Sequence, residues 1–332
     1  MRSSTTIRDV AAAAEVSIST VSRTMAHPEL VASGTREHVL AIARDLRYRP
    51  ALGASTDRAR PGMLGLVVPD LENPFFGLIA KGVQARARSA GMLVVVSDIE
   101  EDGMLERTML ESIASGVDGL ILCSPRGDDE NILDVARRVP TVIANREVTG
   151  VPSVMFDEDR GMTSSLRHLQ ALGHRRIAYA GGPLQSWTHR RRAQAVHRFA
   201  EQESDVELID LGSFQPYLSG GLGAADQALA AGVTAIVAFN DLLALGILDR
   251  LAQRGVRVPE DMSVTGIDNV SAATYVRPHL TTVDVPRVRM GRTAVDLLLS
   301  TMHDGAPAPS PILPAELIVR DSTAVAPVVV DR

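Results

Sequence analysis

From residue 64 onward the chain alternates short apolar runs with amphipathic stretches of helical period, and this alternation confines it to a parallel α/β architecture. Strand-like runs fall at 64–68, 93–97, 119–122, 141–144, 151–156, 177–180, 207–210, 235–239, 263–266, 281–283 and 314–319. Helical stretches fill the intervals, notably 75–90, 160–172, 188–201, 242–254 and 288–303. Eleven strands exceed one small sheet, and 332 residues exceed one small core, so the spacing predicts two doubly wound lobes. No apolar run approaches the roughly 18–20 residues needed to span a bilayer. Cys123 is the single cysteine, and the first residues lack the apolar run of a secretory leader. Both features predict a cytoplasmic protein.

The first 50 residues follow a different pattern. Residues 6–23 read as two short helices joined by a tight turn. Thr6 is placed to cap the first, with Asp9 at its positive end and Ile7, Val10, Ala11 and Ala14 forming one apolar stripe. Ser17 is placed to cap the second. With Thr20, Val21 and Met25 inward, Ile18, Ser19, Ser22 and Arg23 point out near that helix's N-terminus, the division a DNA-recognition helix needs. A third helix over 33–47, carrying Val39, Ile42, Ala43 and Leu46, closes a small all-α core before Pro50. Charge agrees with this division. Residues 1–60 hold nine arginines against six acids, a net +3, whereas the remainder carries 25 basic against 34 acidic residues, a net −9. Phosphate attraction is thereby local to the beginning of an otherwise acidic chain.

Residues 6–23 fit the pattern T-I-x-D-V-A-x-x-A-x-V-S-x-x-T-V-S-R, and Val31, Thr35-Arg36-Glu37 and Tyr48-Arg49-Pro50 extend it. Further on stand Leu172-Gly173-His174-Arg175-Arg176-Ile177, Phe239-Asn240-Asp241-Leu242, Val258-Pro259-Glu260-Asp261, Gly266-Ile267-Asp268-Asn269 and Leu280-Thr281-Thr282-Val283. In this order the segments resemble the lactose-repressor (LacI/GalR) family over almost the whole chain. The resemblance implies a helix-turn-helix headpiece at 1–49, a hinge at 50–61, and an effector-binding and dimerisation core at 62–332 similar to periplasmic sugar-binding proteins. An N-lobe is expected at about 62–156 plus 284–303, and a C-lobe at about 157–283 plus 304–325. It implies a transcriptional regulator, a repressor of a carbohydrate-utilisation or transport operon whose grip on a palindromic operator is altered by a monosaccharide or a derivative. A homodimer is expected, with a tetramer also compatible, and no membrane, cofactor or metal. The effector's sign, inducer or corepressor, stays open. A corepressor-dependent regulator of nucleotide or other metabolism, with a non-sugar ligand, is the alternative.

By the same resemblance Ile18, Ser19 and Arg23 read base edges, while Thr6, Ser17, Thr20 and Ser22 suit phosphates. The family's hinge leucine, which wedges into the minor groove, falls at Asp57 here; an acid is unfavourable there, so either Leu52 substitutes or the operator bends less. Glu15 occupies the turn where the family often has glycine, which predicts a left-handed, strained glutamate. A hydroxyl-rich ligand needs flat apolar walls and a few polar groups. The matching positions are Asn73, Phe75, Phe76, Trp187, Thr188, Arg192, Phe214, Asn240 and Asp268. Six have a plainer reading: strand-end Asn and Asp cap helices, Phe75 and Phe76 fill the core, and Arg192 belongs to a solvated run with Arg190 and Arg191. Val285 stands where many relatives carry a polar Gln, predicting an apolar edge on the ligand.

An enzyme and a transport receptor are the rivals. Gly221-Leu222-Gly223 resembles a dinucleotide fingerprint only superficially, lacking the last glycine and a clear preceding strand, and reads as a helix start. No catalytic residue is assigned, since His168, His174, His189 and His197 are spread along surface-like helices and turns with no nucleophile or metal partner. The headpiece argues against a receptor.

Overall fold

The computed structural model describes residues 7–26, 30–46, 62–304 and 310–327, within two units, Met1–Pro61 and Gly62–Arg332. In the first unit α1 (Ile7–Ala13), α2 (Ile18–Ala26) and α3 (Ser33–Asp45) close over Val10, Ala11, Ala14, Val21, Val39 and Ala43, with Ile7, Val16, Ile42 and Leu46 against them. Ser17 caps α2, its Oγ accepting the Thr20 N–H at 3.1 Å. Between α1 and α2 the Val16 N–H reaches the Ala11 carbonyl at 3.1 Å and the Glu15 N–H the Ala12 carbonyl at 3.4 Å. This closure needs a left-handed residue, and Glu15 supplies it at φ +52°. The inward face of α2 differs from expectation at one position. Thr20 is half-buried, whereas Thr24 is buried; its hydroxyl donates to the Thr20 carbonyl at 2.9 Å, which is what lets a polar side chain sit there. Thr6, the Met25 side chain, and the hinge with Leu52 and Asp57 lie outside the described residues.

The second unit runs β1 (Met63–Val68), α4 (Pro74–Ser89), β2 (Leu93–Asp98), α5 (Gly103–Ile113), β3 (Gly119–Cys123), α6 (Asp129–Ala136), β4 (Thr141–Ala144) and β5 (Ser153–Phe156). It continues with α7 (Glu158–Ala171), β6 (Arg176–Gly181), α8 (Trp187–Gln202), β7 (Glu207–Ser213), α9 (Leu218–Ala231), β8 (Ala235–Ala238), α10 (Asp241–Gln253) and β9 (Ser263–Ile267). Last come β10 (Thr281–Asp284), α11 (Arg287–Asp304), β11 (Ile312–Leu313) and β12 (Glu316–Ile318). Two six-stranded sheets result, ordered β11-β5-β4-β3-β1-β2 and β12-β10-β9-β8-β6-β7. The first is wholly parallel, and the second is parallel except for β12, which runs antiparallel to β10. Central strands covered on both faces read as continuous apolar runs, which is why they stood out in the sequence.

Two expectations are corrected. The strand expected at 314–319 is narrower, β12 in the second sheet, and is preceded by an unforeseen β11 in the first, Pro314 and Ala315 carrying the chain between them from lobe to lobe. Residues 312–313 therefore belong with the N-lobe, not the C-lobe. The helix start read at Gly221 falls three residues earlier, at Leu218, and Gly221 lies in the first turn of α9, where a Cβ would come within 2.4 Å of the Gly246 carbonyl carbon on α10. The glycine-rich stretch is thus a close helix crossing. Side-chain caps begin most of the core helices: Asn73, Asp102, Asp128, Asp157, Ser186 and Asn240 each accept a first-turn N–H.

Candidate functional site

In the headpiece, the start of α2 is the candidate nucleic-acid interface. Ile18, Ser19 and Arg23 are exposed and Ser22 is half-buried. Ser17 Oγ lies 2.7 Å from Ser19 Oγ and 2.8 Å from Thr20 Oγ1. Three hydroxyls thus gather at the positive end of a helix, a chemistry suited to phosphate oxygens.

In the core, the candidate ligand cleft lies where the parallel strands of both sheets end, at the loops that follow them. It encloses about 380 Å³, mouth included. Seven of the expected residues line it: Asn73, Phe75, Phe76, Thr188, Arg192, Asn240 and Asp268. Trp187 and Phe214 do not. Trp187 lies half-buried beneath the Arg191 guanidinium, 5.6 Å from its ring, and Phe214 packs onto the apolar core beneath α9 and α10. Val285 is corrected as well. It is buried in the core at the crossover from β10 to α11 and is absent from the cleft wall, so it gives the ligand no apolar edge.

The plainer readings hold beside the functional one for several residues. Asn73 Oδ1 accepts the Phe75 N–H at 3.0 Å, and Asn240 Oδ1 accepts the Leu243 N–H at 2.9 Å while its Nδ2 donates to the Pro216 carbonyl at 3.0 Å. Both cap helices and line the cleft. Phe75 and Phe76 are buried core residues whose rings meet edge to face at 5.0 Å. Arg192 is no solvated arginine. Its side chain is 2% exposed; Nε and Nη2 donate to Glu158 at 2.7 and 3.3 Å, Nη1 donates to the Phe239 carbonyl, and the guanidinium lies 4.9 Å from the Phe239 ring centroid.

Asp268 is the acceptor of the second lobe. Its carboxylate lies 3.9 Å from Arg192 Nη2, and its backbone is held at φ +115°. Burial pushes its pKa up to about 7 against the pull of Arg192 and Arg287. Behind it Asp241 is raised well above the carboxylate range by burial and then by Asp268, although it accepts the Thr282 hydroxyl at 2.5 Å and the Val270 N–H at 2.8 Å.

Glu101, Ser124, Arg126, Asn145, Ser186, Pro216 and Phe239 complete the wall and were not read from the sequence. Arg126 grips Glu101 bidentately at 2.6 and 2.8 Å and donates to the Ser124 carbonyl. Asn145 Nδ2 donates to Ser124 Oγ at 3.1 Å and, across the cleft, to Thr188 Oγ1 at 3.4 Å. Glu101, Ser124 and Asn145 share positive φ angles of +59°, +45° and +62° with Asp268. Such backbone gathers at ligand sites. For Asn145, a strand-end asparagine, residue type was an available signal; nothing in the sequence marked the other two.

Residues 166–323 match the periplasmic binding protein-like domain, and residues 6–51 match the bacterial regulatory proteins of the lacI family. The chain is 32% identical to the transcriptional repressor CytR of Escherichia coli strain K12, over 97% of both chains. The chain belongs to the LacI family. It is accordingly a LacI-family DNA-binding transcriptional repressor and not an enzyme, built to join operator DNA and a small-molecule effector. Its fold is similar to that of the lac repressor dimer bound to operator and the anti-inducer ONPF, with a TM-score of 0.74 and 30% identity over 97% of this chain and 100% of that one. It is also similar to a LacI-family regulator from Enterococcus faecium with bound ribose, with a TM-score of 0.70 and 27% identity over 79% of this chain and 99% of that one. The expected headpiece and bilobed core are those of this LacI-family repressor. Among its described residues no helix is long and apolar enough to cross a membrane. His174 departs from the surface-like reading. It is buried, with its ring nitrogens on Thr234, Ser263 and the Ala324 carbonyl at 2.8–3.1 Å, and it pins the segment after β12.

Proposed function

We propose that this repressor controls a carbohydrate-utilisation or transport operon from the cytoplasm, as a homodimer on a palindromic operator, and that a sugar or sugar derivative in the cleft sets its operator affinity. The observation that carries the ligand reading is the convergence of Arg192, Asp268, Thr188 and the Phe75–Phe76 pair on one cleft at the strand ends. Polar groups for hydroxyls and apolar faces for C–H surfaces are what a buried sugar needs. The ribose held by the related Enterococcus faecium regulator supports the same class. On the DNA side Ile18, Ser19 and Arg23 read bases, with Ser17, Thr20 and Ser22 on phosphates. Two headpieces are required because one buries too little DNA to be specific. The edge strand β2 leaves Leu93 54% and Val95 40% exposed, an apolar margin that a second copy would cover. The test is operator selection from random palindromes, followed by gel-shift titration with and without monosaccharides. A sugar that binds the chain and shifts operator affinity supports the reading; operator binding indifferent to every sugar refutes it.

A further inference from the structure

Both arginines on the cleft wall have their charge balanced by a carboxylate of the protein. Arg126 places Nε and Nη2 on Glu101 and Nη1 on the Ser124 carbonyl. Arg192 places Nε and Nη2 on Glu158 and Nη1 on the Phe239 carbonyl. Each guanidinium nitrogen therefore has an acceptor, and each charge a bidentate carboxylate of its own. Asp268 adds a further acid to the wall, and among the described residues no third cation lines it.

The helix ends that open on the cleft are each capped at one N–H. A helix N-terminus is a ready anion site through its first N–H groups. Here Asn73, Ser186 and Asn240 each draw a first-turn N–H of α4, α8 or α10 onto their own side-chain oxygen. What the wall leaves open has a different character. Asn145 Oδ1 is buried with no hydrogen-bond partner, and the Asp268 carboxylate meets its nearest cation only at 3.9 Å. One is on the first lobe and the other on the second, and both call for hydrogen-bond donors rather than for negative charge.

We infer that the cleft selects an uncharged effector with hydroxyl or amide donors on two sides, and rejects the phosphorylated or carboxylated form of the same molecule. This rests on the reading of the cleft as the effector site. A phosphate would meet Arg126 and Arg192 only as cations already balanced by Glu101 and Glu158, whose side chains are 15% and 4% exposed, and would bring its charge in beside theirs and that of Asp268. Taking an anion out of water where no cation is spare costs more than the remaining N–H groups return. The arrangement works as a charge filter assembled from the protein's own ion pairs.

The test is calorimetric titration of the full chain with matched pairs: ribose and ribose 5-phosphate, glucose and glucose 6-phosphate, adenosine and its 5′-monophosphate. In any pair that binds, the uncharged member is expected to be tighter by about 100-fold or more. A phosphorylated member that binds equally or better overturns the inference and leaves the effector site standing; silence from every pair overturns the effector-site reading beneath it. Glu101→Gln supplies an independent arm. Freeing the charge of Arg126 is expected to improve the phosphorylated member by about 10-fold relative to its neutral partner. No change in the ratio between the two members refutes the filter.

Discussion

Replacing Arg192 by methionine isolates the pair at the centre of the second lobe. With the cation gone, the Glu158 carboxylate, 4% exposed, is left buried and uncompensated, and the Phe239 carbonyl loses the Nη1 donor. Removing one partner of a buried ion pair costs about 3–5 kcal/mol. The double variant with Glu158→Leu abolishes the stranded charge and keeps only the unpaired carbonyl, a deficit of about 1–3 kcal/mol. The chain carries its own probe, because its single tryptophan, Trp187, is on the same helix as Arg192. Urea unfolding followed by its fluorescence at pH 7 is expected to show the single variant's midpoint falling by roughly 1 M or more, given slopes of about 1–3 kcal/mol/M or somewhat above. The double variant is expected to recover at least about 1 kcal/mol of that loss. Additive penalties, with the double variant worse than the single, would refute the claim that the pair is held together by burial of mutually dependent charges.

Glu15→Gly relieves the left-handed strain and is expected to stabilise the three-helix unit by about 1 kcal/mol, read as a raised melting point by circular dichroism; no gain would show that Glu15 is not strained. Arg23→Ala is expected to cost about 1–3 kcal/mol in operator affinity at one base pair, whereas equal weakening on every sequence would make Arg23 a phosphate contact. Asp268, raised to about 7, keeps a proton in the folded protein that the unfolded chain releases near 3.8, so its contribution to stability is lost as pH rises between those values. Asp268→Asn removes that slope. The variant is expected to be more stable than the parent at pH 8, with the gap closing toward pH 4; a constant gap refutes the assignment. His174 is lowered by burial and binds its proton more readily unfolded, so stability is lost as pH falls through 6.5 and below. Hydrogen-exchange protection at 322–324, taken relative to the intrinsic rate at each pH, is expected to fall between pH 7 and 5.5, and His174→Gln to flatten that response.

The parts legible in the sequence were those whose physical cause is local. The buried strands announce themselves as apolar runs, and Ser17 and the stripe on α1 mark the two-helix turn by capping and period alone. Asp102 and Asp128 are equally good caps, yet α5 and α6 are short and were not singled out among the intervals. The second-lobe wall was legible through the family resemblance, which matched Arg192, Asn240 and Asp268 to ligand positions; by residue type alone they read as two caps and a solvated arginine. The first-lobe wall was not. Glu101 and Arg126 are 25 residues apart and meet only when β2 and β3 end at the same level, and Ser124 becomes a cleft residue only through the backbone twist that follows β3. Val285 shows the opposite error: a position carried over from relatives, whose side chain here is consumed by packing.

Three strands of chain join the two lobes of the core, and all three are very short. Asp157 alone separates β5 from α7, Val285 and Pro286 separate β10 from α11, and Pro314 and Ala315 separate β11 from β12. Three tethers this short leave the lobes almost no freedom to slide or separate, so the motion left to them is a rotation about the line the tethers define. A molecule gripped on both sides of the cleft consequently does its work on a single angle, with little of its binding energy dispersed into other displacements. Val285, buried at the pivot, is better understood as part of the bearing than as part of the grip.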